Sequence, residues 1–366
     1  MDKRLTSSQL FVLMTLLPYG SAALFFIAPE AKQDAWITIL IYSLAGIGMQ
    51  LMYIFLYTRY PQDTVVTYMP KIYGKYLGTM ISIIYVSYFL YIATRVYRDF
   101  LELISVFTFQ HTPRLFFGLP LILVIIYAVY TGIENISYMA QMGFIILIVI
   151  VIITFTLIVS TKNAFRPINL FPILNQDIVS LLKGSWRLAF FPYGETVACT
   201  MIYPMVIDNN KVLKASVLSI VTLSLLLAFN AVIFISTLGT TFAVVSNFPL
   251  LESYRMINIS DFLTRMDIIY ILALLMSGFF KISILLYVSV LGASQVFRIK
   301  KRGILCIVMG AVVYFGSMEI AFNYPQHIKI GLEVALKYFH FPVQVIIPAI
   351  TIIFYVIKNM ILKKPI

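Results

Sequence analysis

Glu195 is a carboxylate inside a long apolar stretch, in the run Phe191-Pro192-Tyr193-Gly194-Glu195-Thr196. A charge at membrane depth is costly, and it is retained where it meets a ligand, lines a proton or ion path, or pairs with another group. Proline removes a backbone donor and glycine tolerates non-helical dihedrals, so this carboxylate stands beside freed backbone groups. Two roles are open to it: contact with a ligand or its gating network, or a structural bond to unwound backbone.

The same triplet occurs earlier as Pro18-Tyr19-Gly20, followed by Ser21. Lipid cannot satisfy freed backbone groups, and a matched pair of interrupted spans in two parts of a chain is the mark of a transporter-type site. Tyr19, Gly20 and Ser21, with Tyr193, Gly194 and Glu195, are therefore the candidate ligand-binding residues. In the first set, Gly20 would allow close backbone approach, Ser21 offers a hydroxyl, and the N-terminus of a following half-helix could hold a ligand's carboxylate.

Arg95, Arg98, Asp99 and Glu102 recur at spacings of three and four, placing them on one helical face with charges that cancel. Arg95 with Asp99 and Arg98 with Glu102 are natural pairs at four-residue spacing. The face is either solvated at the outer end of its span or part of an outer vestibule or coupling network. Lys281 lies deep in another apolar stretch, too deep to reach water easily, and should pair with an acid; Glu195 and Glu102 are the candidates. Together these form a candidate gating or ion-pair network.

Chemistry of other kinds has little support. His111, His327 and His340 lie at segment edges without zinc-ligand spacing, and no nucleophile elbow or phosphate-binding loop occurs. No catalytic residue, metal ligand or cofactor is expected. Cys199 and Cys306 both fall in apolar segments and read as small core residues.

The elements that must position these residues follow from composition. Hydrophobic residues make up 61% of the 366-residue chain and charged residues 11%, far below the roughly 25% charged of a soluble domain. The fold class is an all-α polytopic membrane protein in a lipid bilayer. Apolar runs near membrane length lie at about 9–29, 35–58, 77–101, 115–132, 138–160, 184–207, 212–239, 267–297, 303–322 and 338–361. The triplets then fall in the first span of each group of five, as an inverted repeat would place them, over about 5–160 and 180–322, with the tenth helix over 338–361 in a single transmembrane domain. The net charge of +12 is spread between and beside apolar runs, which argues against a nucleic-acid partner. The dense Arg298 to Arg302 cluster in a short loop favours both termini in the cytoplasm. An amphipathic helix is expected on the outer side within 240–266, carrying Phe248, Leu250, Leu251, Met256, Ile257, Ile259, Phe262 and Leu263.

At this level the chain resembles the B subunit of GerA-type endospore germinant receptors, a branch of the amino acid, polyamine and organocation transporter superfamily. The likeness rests on Leu5-Thr6-Ser7-Ser8-Gln9 before the first span, Arg98 and Glu102, Gly194-x-Glu195, Pro204, and Arg265-Met266-Asp267 at the start of the eighth span. It implies a LeuT-like fold of five plus five helices with broken helices 1 and 6, and a ligand pocket between the first, third, sixth and eighth spans. It further implies a spore inner membrane location beside A-type and C-type receptor subunits, with a small nutrient germinant, an amino acid or sugar, as ligand. A proton-coupled amino-acid permease is the alternative. The Lys281 ammonium could take the place that a bound sodium ion holds in related architectures. Pro18-Tyr19-Gly20-Ser21 departs from the run of small residues common in relatives, so the pocket shape can differ.

Overall fold

The structure, a computed structural model, describes residues 4–258 and 267–361. The described chain is helical apart from loops and one parallel bridge, Leu5 to Val206. Thr6 caps the first helix, α1 (Ser7–Ala22), and Gln9 completes a reciprocal capping box. The Leu5 amide bonds the Met205 carbonyl at 3.0 Å and its carbonyl accepts from Ile207 at 2.8 Å, so the N-terminus is tied to the end of the sixth span.

Helices α2 (Ala35–Arg59), α3 (Val65–Tyr73), α4 (Lys75–Phe107), α5 (Arg114–Thr131) and α6 (Ile133–Ser160) follow. After short helices α7 (Ile178–Gly184) and α8 (Arg187–Phe190) come α9 (Val212–Val245), α10 (Pro249–Arg255), α11 (Asp267–Val296), α12 (Arg302–Glu319), α13 (Tyr324–Lys329) and α14 (Ile347–Ile361). Among the described residues, eight helical stretches are long and apolar enough to cross a membrane, the last running over Tyr324–Ile361. The two shorter members of the ten spans are α1 and the broken stretch beginning at α8.

The two triplets behave differently. The first does not break its helix where it stands: α1 runs through Pro18 and Gly20 to Ala22. No half-helix follows it. Residues 23–28 are non-helical and lead into a 3₁₀ turn, Pro29–Asp34, so the anion-holding helix end expected there is replaced by a turn. The second triplet does break its span. Proline disfavours helical geometry in the residue before it; Phe191 is extended, and Tyr193–Met201 winds as a 3₁₀ helix. Thr196 and Thr200 hydroxyls donate to the Tyr193 and Val197 carbonyls at 2.7 and 2.6 Å, filling acceptors on the unwound stretch.

Two other features differ from expectation. Helix α3 lies between the expected spans 35–58 and 77–101; it buries Val65, Val66, Tyr68, Met69 and Ile72, and Pro70 comes against Gly78 of α4, where a side chain would not fit. The outer helix α10 buries Leu250, Leu251 and Tyr254, so it is docked into the bundle. Ile259, Phe262, Leu263, Arg265 and Met266 lie outside the described residues.

Candidate functional site

Lys281 of α11 organises the centre of the bundle. Its Nζ donates to Ser21 Oγ at 2.6 Å and to Glu195 Oε2 at 2.5 Å, and it lies 5.5 Å from the centre of the Phe191 ring. Ser21 is near the end of α1 and Glu195 is on the first turn of the 3₁₀ stretch, so the residues that follow the two triplets meet on one ammonium. Of the two acids considered for Lys281, Glu195 is the partner. Glu102 instead pairs with Arg114 at the start of α5, at 2.7 Å.

Above this pair lies a cavity of about 50 Å³ lined by Ser21, Phe25, Ile92, Arg95, Val96, Asp99, Phe191, Glu195, Ile328, Gly331, Leu332, Leu336 and His340. At roughly 10–15 Å³ of such space for one water, it has room for a few waters or a small solute. Its walls come from the first, third, sixth and tenth spans. The eighth span, expected as a wall, contributes Lys281 from one layer behind.

The remaining predicted ligand-binding residues face other helices. Tyr19 accepts from Asn230 Nδ2 of α9 at 3.3 Å, and Tyr193 donates to the Ile39 carbonyl of α2 at 2.7 Å. A Cβ on Gly20 would lie 2.6 Å from the Ser277 carbonyl oxygen and 2.9 Å from Lys281 Cβ, and one on Gly194 would run into the Gln344 amide. Both glycines are therefore points of close helix approach, and the space they leave is filled by protein. Gly20 is what lets α1 pack closely enough on α11 for Ser21 to reach Lys281.

The charged face of α4 is buried, with Arg95 8%, Arg98 2% and Asp99 6% exposed, so the solvated reading does not hold. Neither pair at four-residue spacing forms. Arg95 Nη2 donates to the His327 carbonyl at 2.5 Å, and Asp99 Oδ1 lies 3.0 Å from His327 Nε2. Arg98 Nη1 donates to the Ser317 carbonyl at 3.0 Å, in the last turn of α12. Pairs along one helix contribute only a few tenths of a kcal/mol, whereas buried guanidinium groups gain more from unsatisfied carbonyls at helix ends. The face thus ties α4 to α5, α12 and α13, and turns Arg95 and Asp99 toward the cavity.

The tenth span supplies the part of the site that sequence reasoning missed. Its backbone is wound in wide π-type turns over Ile330–His340 and Pro342–Ile346. Gln344 Nε2 donates to Tyr88 Oη at 2.8 Å, and Tyr88 Oη lies 3.0 Å from His340 Nδ1. The Tyr53 hydroxyl donates to the Gln344 carbonyl at 2.8 Å. His327 and His340, read as segment-edge residues, are buried. The available signal was the polar set His340 and Gln344 in a run otherwise apolar enough for a span; Gly331 leaves room for Arg95, since a Cβ there would collide with the guanidinium.

The spore germination protein family profile matches residues 4–325. The chain belongs to the spore germination protein family. Spore germination protein KB of Bacillus subtilis (strain 168) is 34% identical over 357 residues, covering 97% of this chain and 95% of that protein. Spore germination protein YndE of the same organism is 25% identical over 275 residues, covering 75% and 74%. Among solved structures, MhsT in complex with L-phenylalanine superposes with a TM-score of 0.64 at 13% identity, over 97% of this chain and 99% of that one. Mhp1, a nucleobase-cation-symport-1 family transporter, gives 0.66 at 12% identity over 92% and 76%. At these identities the likeness is one of fold: this spore germination protein has the LeuT-type transporter fold.

Proposed function

We propose that this spore germination protein is the germinant-sensing membrane subunit of a nutrient receptor, taking a small amino acid or sugar into the cavity between the first, third, sixth and tenth spans. The observation that carries this reading is that one small cavity is bordered by charges of both signs, Arg95 and Asp99 from α4 and Glu195 from the sixth span, with apolar walls from Phe25, Phe191 and Leu336. Ser21 and Glu195 contact the ligand; Tyr19, Gly20, Tyr193 and Gly194 hold the shape around it. Arg98, Glu102 and Lys281 transmit closure, because they join the cavity's helices to α5, α11 and α12. Binding that favours one arrangement of these helices would bias partner subunits by population shift. The partners are A-type and C-type receptor subunits, the site of action is the spore inner membrane, and both termini face the cytoplasm. Lys281 serves as a fixed cation, so ligand binding needs no sodium.

A second reading, a proton-coupled permease, draws on the buried Lys281–Glu195 pair beside the cavity. Two assays test and separate the readings. A strain lacking this chain, challenged with a panel of amino acids, sugars and salts, should lose the response to one nutrient class and keep the others; unchanged responses to the whole panel would refute the receptor assignment. Accumulation of a labelled amino acid by vesicles holding this chain alone would instead favour the permease.

A further inference from the structure

At the end of the bundle that carries the N-terminus, far from the central cavity, a cleft of about 460 Å³ opens among Arg4, Tyr130, Gly132, Glu134, Tyr287 and Arg302. That is within the roughly 300–1,000 Å³ of ligand sites. It adjoins a second hollow of about 560 Å³ bordered by Arg298, Lys300 and Arg302, so Arg302 faces both. Arg4 is paired with Glu134 at 3.3 Å. Arg298, Lys300, Lys301 and Arg302 are all exposed, and among the described residues no acid pairs with any of them. The turn that presents them is fixed: Arg298 takes a left-handed conformation, φ 55°, and Ile299 donates back to the Ser294 carbonyl at 3.0 Å, closing α11.

The position of the cleft says what kind of anion would sit there. Thr131 ends α5, Ile133 begins α6 and Arg302 begins α12, all helices of membrane-crossing length and composition, so the cleft lies where the apolar belt stops. Tyr130 at its edge and Tyr127 one turn along α5 are each 68% exposed, and Ile304 and Ile307 of α12 are 58% and 63% exposed. Tyrosines at that level suit the membrane interface. A soluble phosphate would use the charges and leave the apolar wall idle, whereas a lipid uses both.

We propose that this cleft is a binding site for an anionic phospholipid, its phosphate between Arg302 and Arg4 and its acyl chains along the outer faces of α5 and α12. Glu134, by holding Arg4, limits the site's net attraction, and the exposed cations Arg298, Lys300, Lys301 and Arg302 are what favour a headgroup with more than one negative charge. Basic residues beside a membrane surface attract acidic lipid with about 1 kcal/mol each, or about fivefold in affinity.

The test is thermal unfolding of the purified full chain in neutral detergent, titrated with cardiolipin, phosphatidylglycerol, phosphatidylcholine or inorganic pyrophosphate. Cardiolipin should raise Tm saturably and at lower concentration than phosphatidylglycerol, with phosphatidylcholine inert. Arg302→Gln should weaken the cardiolipin titration about fivefold, and the exposed pair Lys300→Gln/Lys301→Gln more than that. Both should keep the lipid-free Tm of the wild type, and Lys183→Gln, at the other end of the bundle, should titrate as wild type. An equal shift with phosphatidylcholine, an undiminished titration in both variants, or a pyrophosphate shift that matches and competes with cardiolipin would overturn the lipid assignment.

Discussion

Lys281 and Glu195 bond at 2.5 Å with 0% and 2% of their side chains exposed, and the same ammonium reaches Ser21 at 2.6 Å. The end of α1 and the unwound stretch of the sixth span are thereby held by a third helix through one charge. Removing one member of a buried pair leaves the other uncompensated, at a cost of roughly 3–5 kcal/mol. Lys281→Met or Glu195→Met alone should lower the Tm of the detergent-purified protein steeply, while the double variant recovers a large part. Strict additivity of the two losses would show that the pair is not coupled.

Gly20 and Gly194 should differ in their tolerance of alanine. At Gly20 the new Cβ meets backbone, the Ser277 carbonyl oxygen at 2.6 Å; at Gly194 it meets the Gln344 side chain, which can rotate. Overpacking of this kind costs about 1–3 kcal/mol. Gly20→Ala should therefore reduce both stability and germinant response more than Gly194→Ala, compared by Tm and by germination dose response at matched protein level. The reverse order would contradict the packing described for α1 and α11.

Arg98 gives the end of α12 a partner for carbonyls that the helix itself cannot satisfy. Arg98→Met leaves the Ser317 carbonyl without this donor and should cost roughly 1–3 kcal/mol. Arg98→Lys, which keeps the charge with a different reach, should recover part of it. Equal loss in both would mean that the geometry of the guanidinium, and not its charge, is what α12 needs.

Leu336 tests the size of the cavity from its apolar side. It is 1% exposed and lies on the wall supplied by the tenth span. Leu336→Ala should enlarge the space, cost about 2–5 kcal/mol of stability, and extend the response to a ligand one or two methylenes longer than the natural one. A dose response restricted to the natural ligand would place recognition elsewhere.

Much of the architecture is legible in the sequence because apolar runs of membrane length leave few alternatives, and Glu195 and Lys281 announce themselves by their cost in such runs. Burial alone requires an acid for Lys281 and leaves Glu195 and Glu102 as candidates; helix packing decides for Glu195 and gives Glu102 to Arg114. What is not legible is which neighbour fills the space at a glycine. Gly20 and Gly194 signal close approach, but the approaching groups, Ser277 and Gln344, come from distant segments. The charges of α4 mislead for a related reason: spacing along a helix shows which partners are near in sequence, and His327, Ser317 and Arg114 are near only once the helices pack. The first triplet also shows that proline and glycine permit a break without requiring one, since packing against α11 keeps α1 wound to Ala22.

The central claim is that a nutrient occupies the space between Ser21, Asp99, Glu195 and the tenth span. Its most direct test is equilibrium binding of the purified chain to the nutrient whose germination response its deletion removes, in sodium-free buffer, with Leu336→Trp for comparison. The account predicts saturable binding to the wild type without sodium, and none to a folded Leu336→Trp protein whose cavity is filled. Binding to Leu336→Trp with wild-type affinity, or no binding to the wild type of a nutrient that requires this chain for germination, would contradict it.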